Sequence, residues 1–95
     1  MDTKEKYLPI GSIVMLKGAS KSLMIIGYAA KDTRPEAENK IYDYIGAVFP
    51  EGILDFSQIP MFNHDQIDKI IYMGLENEEQ KKFVEELKVH IDNGE

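Results

Sequence analysis

KIYDYIGAVFPEGILDFSQIPMFNHDQ, residues 40–66, decides the fold, because this stretch holds most of the aromatic side chains of the chain between two turn signals. Ile41 to Phe49 alternates imperfectly and predicts a long, bent strand. Pro50 to Gly52 predicts the turn that follows it, and Asn63 to Gln66 predicts a capped helical turn that leaves the sheet. The stretch therefore indicates β-structure with aromatic packing, and it contains no pattern that points to a catalytic or binding function.

Two further strands precede this stretch. Ile13 to Leu16 predicts the first, and Lys17 to Lys21 has the composition and length of a hairpin connection. Leu23 to Ala29 predicts the second strand, whose apolar residues run without a break instead of alternating. Such a run is typical of a central strand that is covered on both faces, and Gly27, like Gly46 in the later strand, indicates a bend or bulge.

The segment after the turn predicts an edge strand, another strand and a helix. The proline in residues 58–62 confines that strand to a sheet edge, residues 53–57 fit no single structure, and Ile67 to Met73 resumes a strand pattern. Asn77 predicts the cap of a C-terminal helix within residues 76–92. One apolar stripe of that helix is expected to be buried: Phe83, Val84, Leu87 and Ile91.

These elements predict one α+β domain over residues 1–95, with residues 1–6 flexible. Short connections favour an antiparallel sheet of about five to six strands, either strongly bent or forming a small, partly open β-barrel, with the C-terminal α-helix closing one end. A swapped or intertwined dimer is the alternative, because the edge strand and the terminal helix could both be exchanged between chains. The side chains expected to be mostly buried are Ile13, Met15, Met24, Ile26, Tyr44, Val48, Phe62, Ile70, Phe83 and Leu87.

Composition narrows the class of function. The chain carries 17 acidic and 11 basic side chains, a formal charge of −6, which repels phosphate backbones and disfavours nucleic acid as a partner. It has no cysteine, so disulfides and thiolate zinc sites are excluded. No window approaches the roughly 18 consecutive apolar residues of a membrane span, and the charged start lacks the long apolar region of a signal peptide. We therefore expect a cytoplasmic protein without membrane insertion.

The sequence contains no recognisable catalytic or metal-binding constellation. The two histidines are His64, beside the predicted cap, and His90, in the last turn of the predicted helix. Asp65 and Asp68 lack the ligand count and spacing of a calcium loop or a zinc helix. The glycines and serines form neither a phosphate-binding loop nor a nucleophile elbow. We expect no catalytic residues, no metal and no cofactor, and hence no enzyme.

Five segments, taken together and in order, resemble a known family. They are Tyr7–Gly18 (YLPIGSIVMLKG), Leu23–Tyr28 (LMIIGY), Tyr42–Gly46 (YDYIG), Pro50–Gly52 (PEG) and Phe62–Asp68 (FNHDQID). Their order resembles a family of small Firmicutes proteins, catalogued as domain-of-unknown-function family 4176 and encoded beside LXG toxins of type VII secretion systems. The resemblance covers residues 7–75, and Phe49 departs from the tyrosine of the family pattern.

The resemblance implies a role in binding a protein. The family is similar to accessory proteins that bind a secreted LXG toxin before export and act as its chaperone or targeting adaptor. The resemblance carries no catalytic residues. An immunity protein that neutralises the toxin and a small-ligand-binding domain remain the alternatives.

Two segments are candidates for the partner-binding surface. Residues 31–40 predict an exposed, charged loop of the kind that carries recognition on a rigid scaffold. The better candidate is the apolar turn region, which crowds more large side chains than so small a chain can cover: Phe49, Ile53, Leu54 and Phe56. The competing interpretation is that Phe56 plugs the mouth of the barrel.

Overall fold

The computed structural model describes residues 6–31 and 40–92, which form five strands and one α-helix. The strands are Ile13–Leu16 (β1), Ser22–Lys31 (β2), Ile41–Phe49 (β3), Met61–Phe62 (β4) and Ile67–Tyr72 (β5), and the helix is Glu78–Asp92 (α1). Short 3₁₀ turns span Phe56–Gln58 and His64–Gln66. The predicted flexibility of residues 1–6 falls almost wholly outside the described residues.

The strands form one open antiparallel sheet in the order β4-β3-β2-β1-β5. This confirms the α+β class and the bent sheet, whereas the barrel does not form, because β4 and β5 remain at separate edges. β2 lies at the centre, as predicted, and it is bulged between Ile25 and Gly27. The bulge predicted at Gly46 is absent from β3. A Cβ atom at Gly46 would lie 3.0 Å from the Phe62 ring, so close packing accounts for this glycine.

One face of the sheet forms the hydrophobic core with α1. Paired residues on four neighbouring strands make its central row, called here the buried row: Ile70, Val14, Leu23 and Val48. Tyr44 and Phe62 extend this core at the β3–β4 edge, as predicted, and both are fully buried. Val84 of α1 completes it, with Leu87 and Ile91 packed alongside. Phe83 was expected in the same stripe, but it flanks the contact and is half exposed beside the Tyr28 ring.

The predicted burial of β1 and β2 is wrong by one residue. Ile13, Met15, Met24 and Ile26 were expected in the core, whereas their neighbours Val14, Leu23 and Ile25 occupy it. Because successive strand residues point to opposite faces, an error of one position exchanges the two faces completely. Both sets are apolar in these strands, so alternation gave no signal for choosing between them. The double covering predicted for β2 is also absent, since no described helix or strand packs on its second face.

The segment before β1 is part of the core. Tyr7, Leu8 and Pro9 are buried, and the backbone of Leu8 is held at both ends. Its N–H donates to the hydroxyl of Tyr44, and its carbonyl accepts from the hydroxyl of Tyr28. The lead-in that was predicted as an extended connection therefore acts as a further layer between the sheet and α1.

Two predicted caps are present. The side chain of Asn77 accepts a hydrogen bond from the backbone N–H of Gln80 at 2.8 Å, which stabilises the first turn of α1. At the earlier turn, the backbone N–H of Asn63 donates to the side chain of Gln66, also at 2.8 Å. This turn directs the chain from the edge strand β4 into β5 at the opposite edge of the sheet.

Candidate partner-binding surface

The connection between β3 and β4 is a structured turn. It begins at Phe49–Pro50, a cis peptide bond, and the N–H of Gly52 donates back to the carbonyl of Val48 at 2.6 Å. Gly52 has a φ of 80°, a conformation that glycine adopts without the steric cost of a side chain. The predicted turn at residues 50–52 is therefore confirmed, and it reverses the chain at the end of β3.

Asp55 organises the second half of this connection. Its carboxylate accepts hydrogen bonds from the backbone N–H of Ser57 at 3.0 Å and from the Ser57 hydroxyl at 2.7 Å. These bonds hold the pKa of Asp55 below its usual range, the side-chain bond contributing most. They also cap the 3₁₀ turn that begins at Phe56, so the backbone that carries this aromatic ring has a defined shape.

Two side chains on this connection are the most exposed large apolar groups of the described residues. Leu54 is 85% exposed and Phe56 is 81% exposed. Such exposure excludes the interpretation of Phe56 as a plug, because its ring lies against no core. Two large apolar side chains exposed this close together form a patch of the kind that can mark an interaction surface. We call residues 53–56 of this connection the apolar turn.

A shallow depression of about 350 Å³ lies beside the apolar turn. Its lining combines apolar side chains with a charged rim: Lys21, Val48, Glu51, Gly52, Ile53, Leu54, Asp55 and Pro60. On the rim, the ammonium of Lys21 lies 2.8 Å from a carboxylate oxygen of Glu51 and lowers the pKa of that carboxyl. This pair joins the β1–β2 hairpin connection to the turn, so the depression is framed by two separate loops.

The structure brings together only part of the predicted surface. Ile53 and Leu54 line the depression, and Phe56 follows them on the capped turn. Phe49 is separated from them, because strand alternation directs it to the face of the sheet opposite Val48. Val48 and Pro60 were missed as lining residues. Pro60 could have been predicted from the sequence, because a proline ends a strand and its backbone then stays beside the turn without joining the sheet.

Three tyrosines and His64 form a cluster beneath the lead-in. The rings of Tyr7, Tyr28 and Tyr44 lie 5.6 to 6.1 Å apart, and the Tyr44 hydroxyl is 2.7 Å from Nδ1 of His64. Burial raises the pKa of Tyr44 and of Tyr28 above the usual tyrosine value. Near neutral pH both phenols therefore keep their protons and act as hydrogen-bonding groups, which join the lead-in to the sheet and to His64.

A second concave region of about 400 Å³ lies between the lead-in and α1. Its charged lining is mixed in sign, with Lys6, Lys81 and Lys88 facing Glu76 and Glu85. Opposite charges so close together leave no strong field that would select an anion or a cation. Within residues 6–31 and 40–92, no three histidine or acidic side chains come together as metal ligands would.

One prediction can be placed only in part. Of the charged loop at residues 31–40, positions 32–39 lie outside the described residues, so the structure gives no account of it as a surface. His90 is exposed near the end of α1. Among the described residues, no helix has both the length and the apolar character needed to cross a membrane.

The fold and this surface define a small α+β domain whose open antiparallel sheet presents exposed apolar side chains on one hydrogen-bonded connection. The chain belongs to the family described as Domain of unknown function (DUF4176), which matches residues 7–83. The matched segment contains the lead-in, all five strands and the start of α1, and it confirms the family resemblance drawn from the sequence. No curated protein and no solved structure matches the chain.

Proposed function

We propose that the protein is a non-enzymatic accessory factor that binds another protein, as a chaperone or targeting adaptor for an LXG-type toxin exported by a type VII secretion system. The observation that carries this proposal is the apolar turn, where Leu54 and Phe56 are exposed on a backbone fixed by hydrogen bonds. The partner itself is proposed from the family resemblance. The cytoplasm is the proposed location, because an export factor must meet the toxin before secretion.

The apolar turn has the physical properties of a protein-binding site. Two large side chains on a rigid connection lose little conformational freedom on binding, so more of their contact energy becomes affinity. The adjoining depression can receive an apolar side chain of the partner, and the Lys21–Glu51 pair can orient polar groups at the rim. An exposed aromatic side chain with polar groups around it matches the composition of protein interfaces, which are enriched in aromatic residues and have a polar rim.

The decisive experiment is co-purification with fragments of the neighbouring toxin. The tagged protein is co-expressed either with the export-signal region of the toxin or with its catalytic region, and the bound fraction is quantified. We expect capture of the export-signal region. Capture of the catalytic region alone, together with loss of toxicity, would instead identify an immunity protein. Capture of neither fragment would contradict both protein-binding roles.

A double variant tests whether the apolar turn is the binding site. L54S combined with F56S is expected to abolish co-purification, since it removes both anchors without touching the core. The matched control is L75S combined with V89S, which alters two side chains that are 73% and 60% exposed elsewhere on the surface. The control is expected to bind as the parent does, and equal loss in both variants would count against a specific site.

A further inference from the structure

Asp55 lies between Leu54 and Phe56 of the apolar turn, and the fold uses only one of its two carboxylate oxygens. The backbone N–H and the hydroxyl of Ser57 both donate to Oδ1. Among the described residues, no group donates to Oδ2. The side chain is exposed, so this carboxylate is held in place by Ser57 while one oxygen stays open to a ligand.

The charge of Asp55 is uncompensated. The other two charged residues that line the depression, Lys21 and Glu51, form an ion pair at 2.8 Å and neutralise each other. No described residue forms an ion pair with Asp55. The hydrogen bonds from Ser57 lower the pKa of Asp55, so its charge persists into mildly acidic solution. The rim of the depression therefore carries one net negative charge.

An apolar depression beside one fixed negative charge defines the chemistry of its ligand. Val48, Ile53 and Pro60 supply the apolar part of the lining, and the volume of about 350 Å³ has room for a large aliphatic or aromatic side chain. Asp55 lines the same depression, so a cation carried beside that side chain would lie close to Oδ2. The contact would be a charge-assisted hydrogen bond, which is stronger than one between neutral groups.

We propose that the apolar turn binds a segment in which a lysine or arginine stands beside the large apolar residue that enters the depression, and that Asp55 selects this basic residue. The inference rests on the proposed function for the identity of the partner, whereas the recognition chemistry belongs to this surface alone. The net charge of −6 acts in the same direction, because it attracts a basic segment and opposes a second copy of the chain.

The hydrogen bonds to Oδ1 also limit how the basic residue can be held. A carboxylate oxygen has two lone-pair sites, and Ser57 occupies both sites of Oδ1. Arginine surpasses lysine where its fork meets two carboxylate oxygens at once, which would require Oδ1 as well as Oδ2. We therefore expect lysine and arginine to be bound about equally well.

Two basic residues outside the described ranges, Arg34 and Lys4, are the possible competitors within the chain. Arg34 follows Lys31 by three residues, and Lys31 pairs with Ile41 at the start of β3. The nine residues of β3 separate that end of the sheet from the apolar turn by roughly 27 Å. About 11 Å of backbone and one side chain cannot span this distance, so Arg34 is excluded. Lys4 is tested directly below.

Titration with blocked pentapeptides, followed by nuclear magnetic resonance, tests the recognition chemistry without the toxin. GKLFG carries a lysine beside two large apolar residues, and GELFG has glutamate in place of the lysine. In the isotopically labelled parent, GKLFG is expected to shift the amide signals of residues 53–56 with a dissociation constant on the order of 1 mM. GELFG is expected to bind about tenfold more weakly, and GRLFG to match GKLFG.

D55N provides the decisive variant. It removes the charge of Asp55 and keeps an oxygen that can accept the hydrogen bonds from Ser57, so the turn retains its shape. It is expected to bind GKLFG and GELFG with equal affinity. D68N makes the same change at an exposed position of β5, and it is expected to prefer GKLFG as strongly as the parent does. Thermal unfolding verifies the fold of each variant.

Two lysine variants test the remaining charges. K21Q leaves Glu51 without its partner, so the rim gains a second uncompensated carboxylate, and binding of GKLFG is expected to strengthen. K4Q is expected to bind GKLFG as the parent does. Tighter binding in K4Q would show that Lys4 already occupies Asp55, and the proposal would then be overturned.

The proposal is also overturned if neither peptide shifts the signals of the apolar turn, if the parent binds both peptides equally, or if D55N still prefers GKLFG. Co-purification separates it from the proposed function. Capture of a toxin fragment that L54S with F56S abolishes, and that D55N leaves unchanged, would contradict selection by Asp55 and leave the accessory role standing. A parent that prefers GKLFG and captures no toxin fragment would contradict the accessory role and leave the recognition chemistry standing.

Discussion

The hydroxyl of Tyr44 lies 2.7 Å from Nδ1 of His64 while it accepts a hydrogen bond from the backbone N–H of Leu8 at 3.1 Å. A phenol oxygen has two lone pairs and one proton, so it can accept the hydrogen bond from Leu8 while it also hydrogen-bonds to the imidazole ring. One buried oxygen thereby joins the lead-in, β3 and the turn that begins β5. Segments 20 and 36 residues away from Tyr44 depend on the same atom.

Removing this hydroxyl is expected to destabilise the protein by about 1–3 kcal/mol, because Y44F leaves the buried N–H of Leu8 without an acceptor. Urea unfolding followed by circular dichroism measures the change in the free energy of unfolding. Y72F removes the same atom from a ring that is 62% exposed, and it is expected to change the stability by less than about 0.5 kcal/mol. Equal effects in the two variants would show that the Tyr44 hydroxyl has no special role.

Stability is expected to fall as the pH rises above about 10. Burial raises the pKa of folded Tyr44 above its ordinary value of 10.0, so below that pH both folded and unfolded chains keep the proton. At higher pH the unfolded chain loses the proton while the folded chain retains it, which favours unfolding. Urea midpoints measured across this range should decline, and more steeply for the parent than for Y44F. An identical decline in both proteins would contradict the attribution of this pH dependence to Tyr44.

Gly74 is expected to tolerate no side chain. A Cβ atom there would overlap the backbone oxygen of Ile10 and lie 3.0 Å from the backbone nitrogen of Ser12, and neither atom can move as a flexible side chain would. G74A is therefore expected to cost about 1–3 kcal/mol of unfolding free energy. E76A, two positions along on an exposed residue, is the control and should remain near the parent.

The two valines of α1 are expected to respond in opposite ways. Val84 is 8% exposed in the core, and V84A removes two methyl groups at a cost of about 2 kcal/mol. Val89 is 60% exposed, so V89A loses little contact and gains helix propensity, and it should be neutral or slightly stabilising. Thermal unfolding of both variants checks the orientation of the helix. A larger loss in V89A would mean that α1 presents its other side to the sheet.

The double variant L54S and F56S is expected to keep its thermal midpoint within a few degrees of the parent, because neither side chain packs on the core. F62A provides the contrast, since Phe62 is 1% exposed and its truncation should cost about 3–5 kcal/mol. A large loss of stability in the double variant would place Leu54 and Phe56 in a packed cluster and remove the basis for a binding surface there.

The sequence predicted the positions of the elements better than their orientation. β1 and β3 begin and end where turn residues and periodicity indicate, and the cap at Asn77 is present. The direction of Ile13 and Met24 could not be predicted, because their neighbours in each strand are equally apolar. Whether a strand is covered on one side or on both depends on elements that are far away in the sequence, so a local pattern cannot decide it.

The residues of the candidate surface were also predicted only in part. The exposure of Leu54 and Phe56 followed from crowding beside a turn, a local property that the sequence carries. The separation of Phe49 from these residues could not be predicted in this way, because it depends on which face of β3 meets the core. β4 is also shorter than predicted, at two residues, since Pro60 lacks the N–H that a longer strand would need.

The pairing of β1 with β5 affects how the chain folds during synthesis. Ile13 pairs with Tyr72, so β1 cannot gain its outer neighbour until nearly sixty later residues have left the ribosome. Before then, β1 to β4 can form a partial sheet in which the side of β1 that will later pair with β5 is an open edge. Such an edge recruits strands from other nascent chains. Slow translation through β5 is therefore expected to increase aggregation, and the time spent with that edge open sets the yield of folded protein.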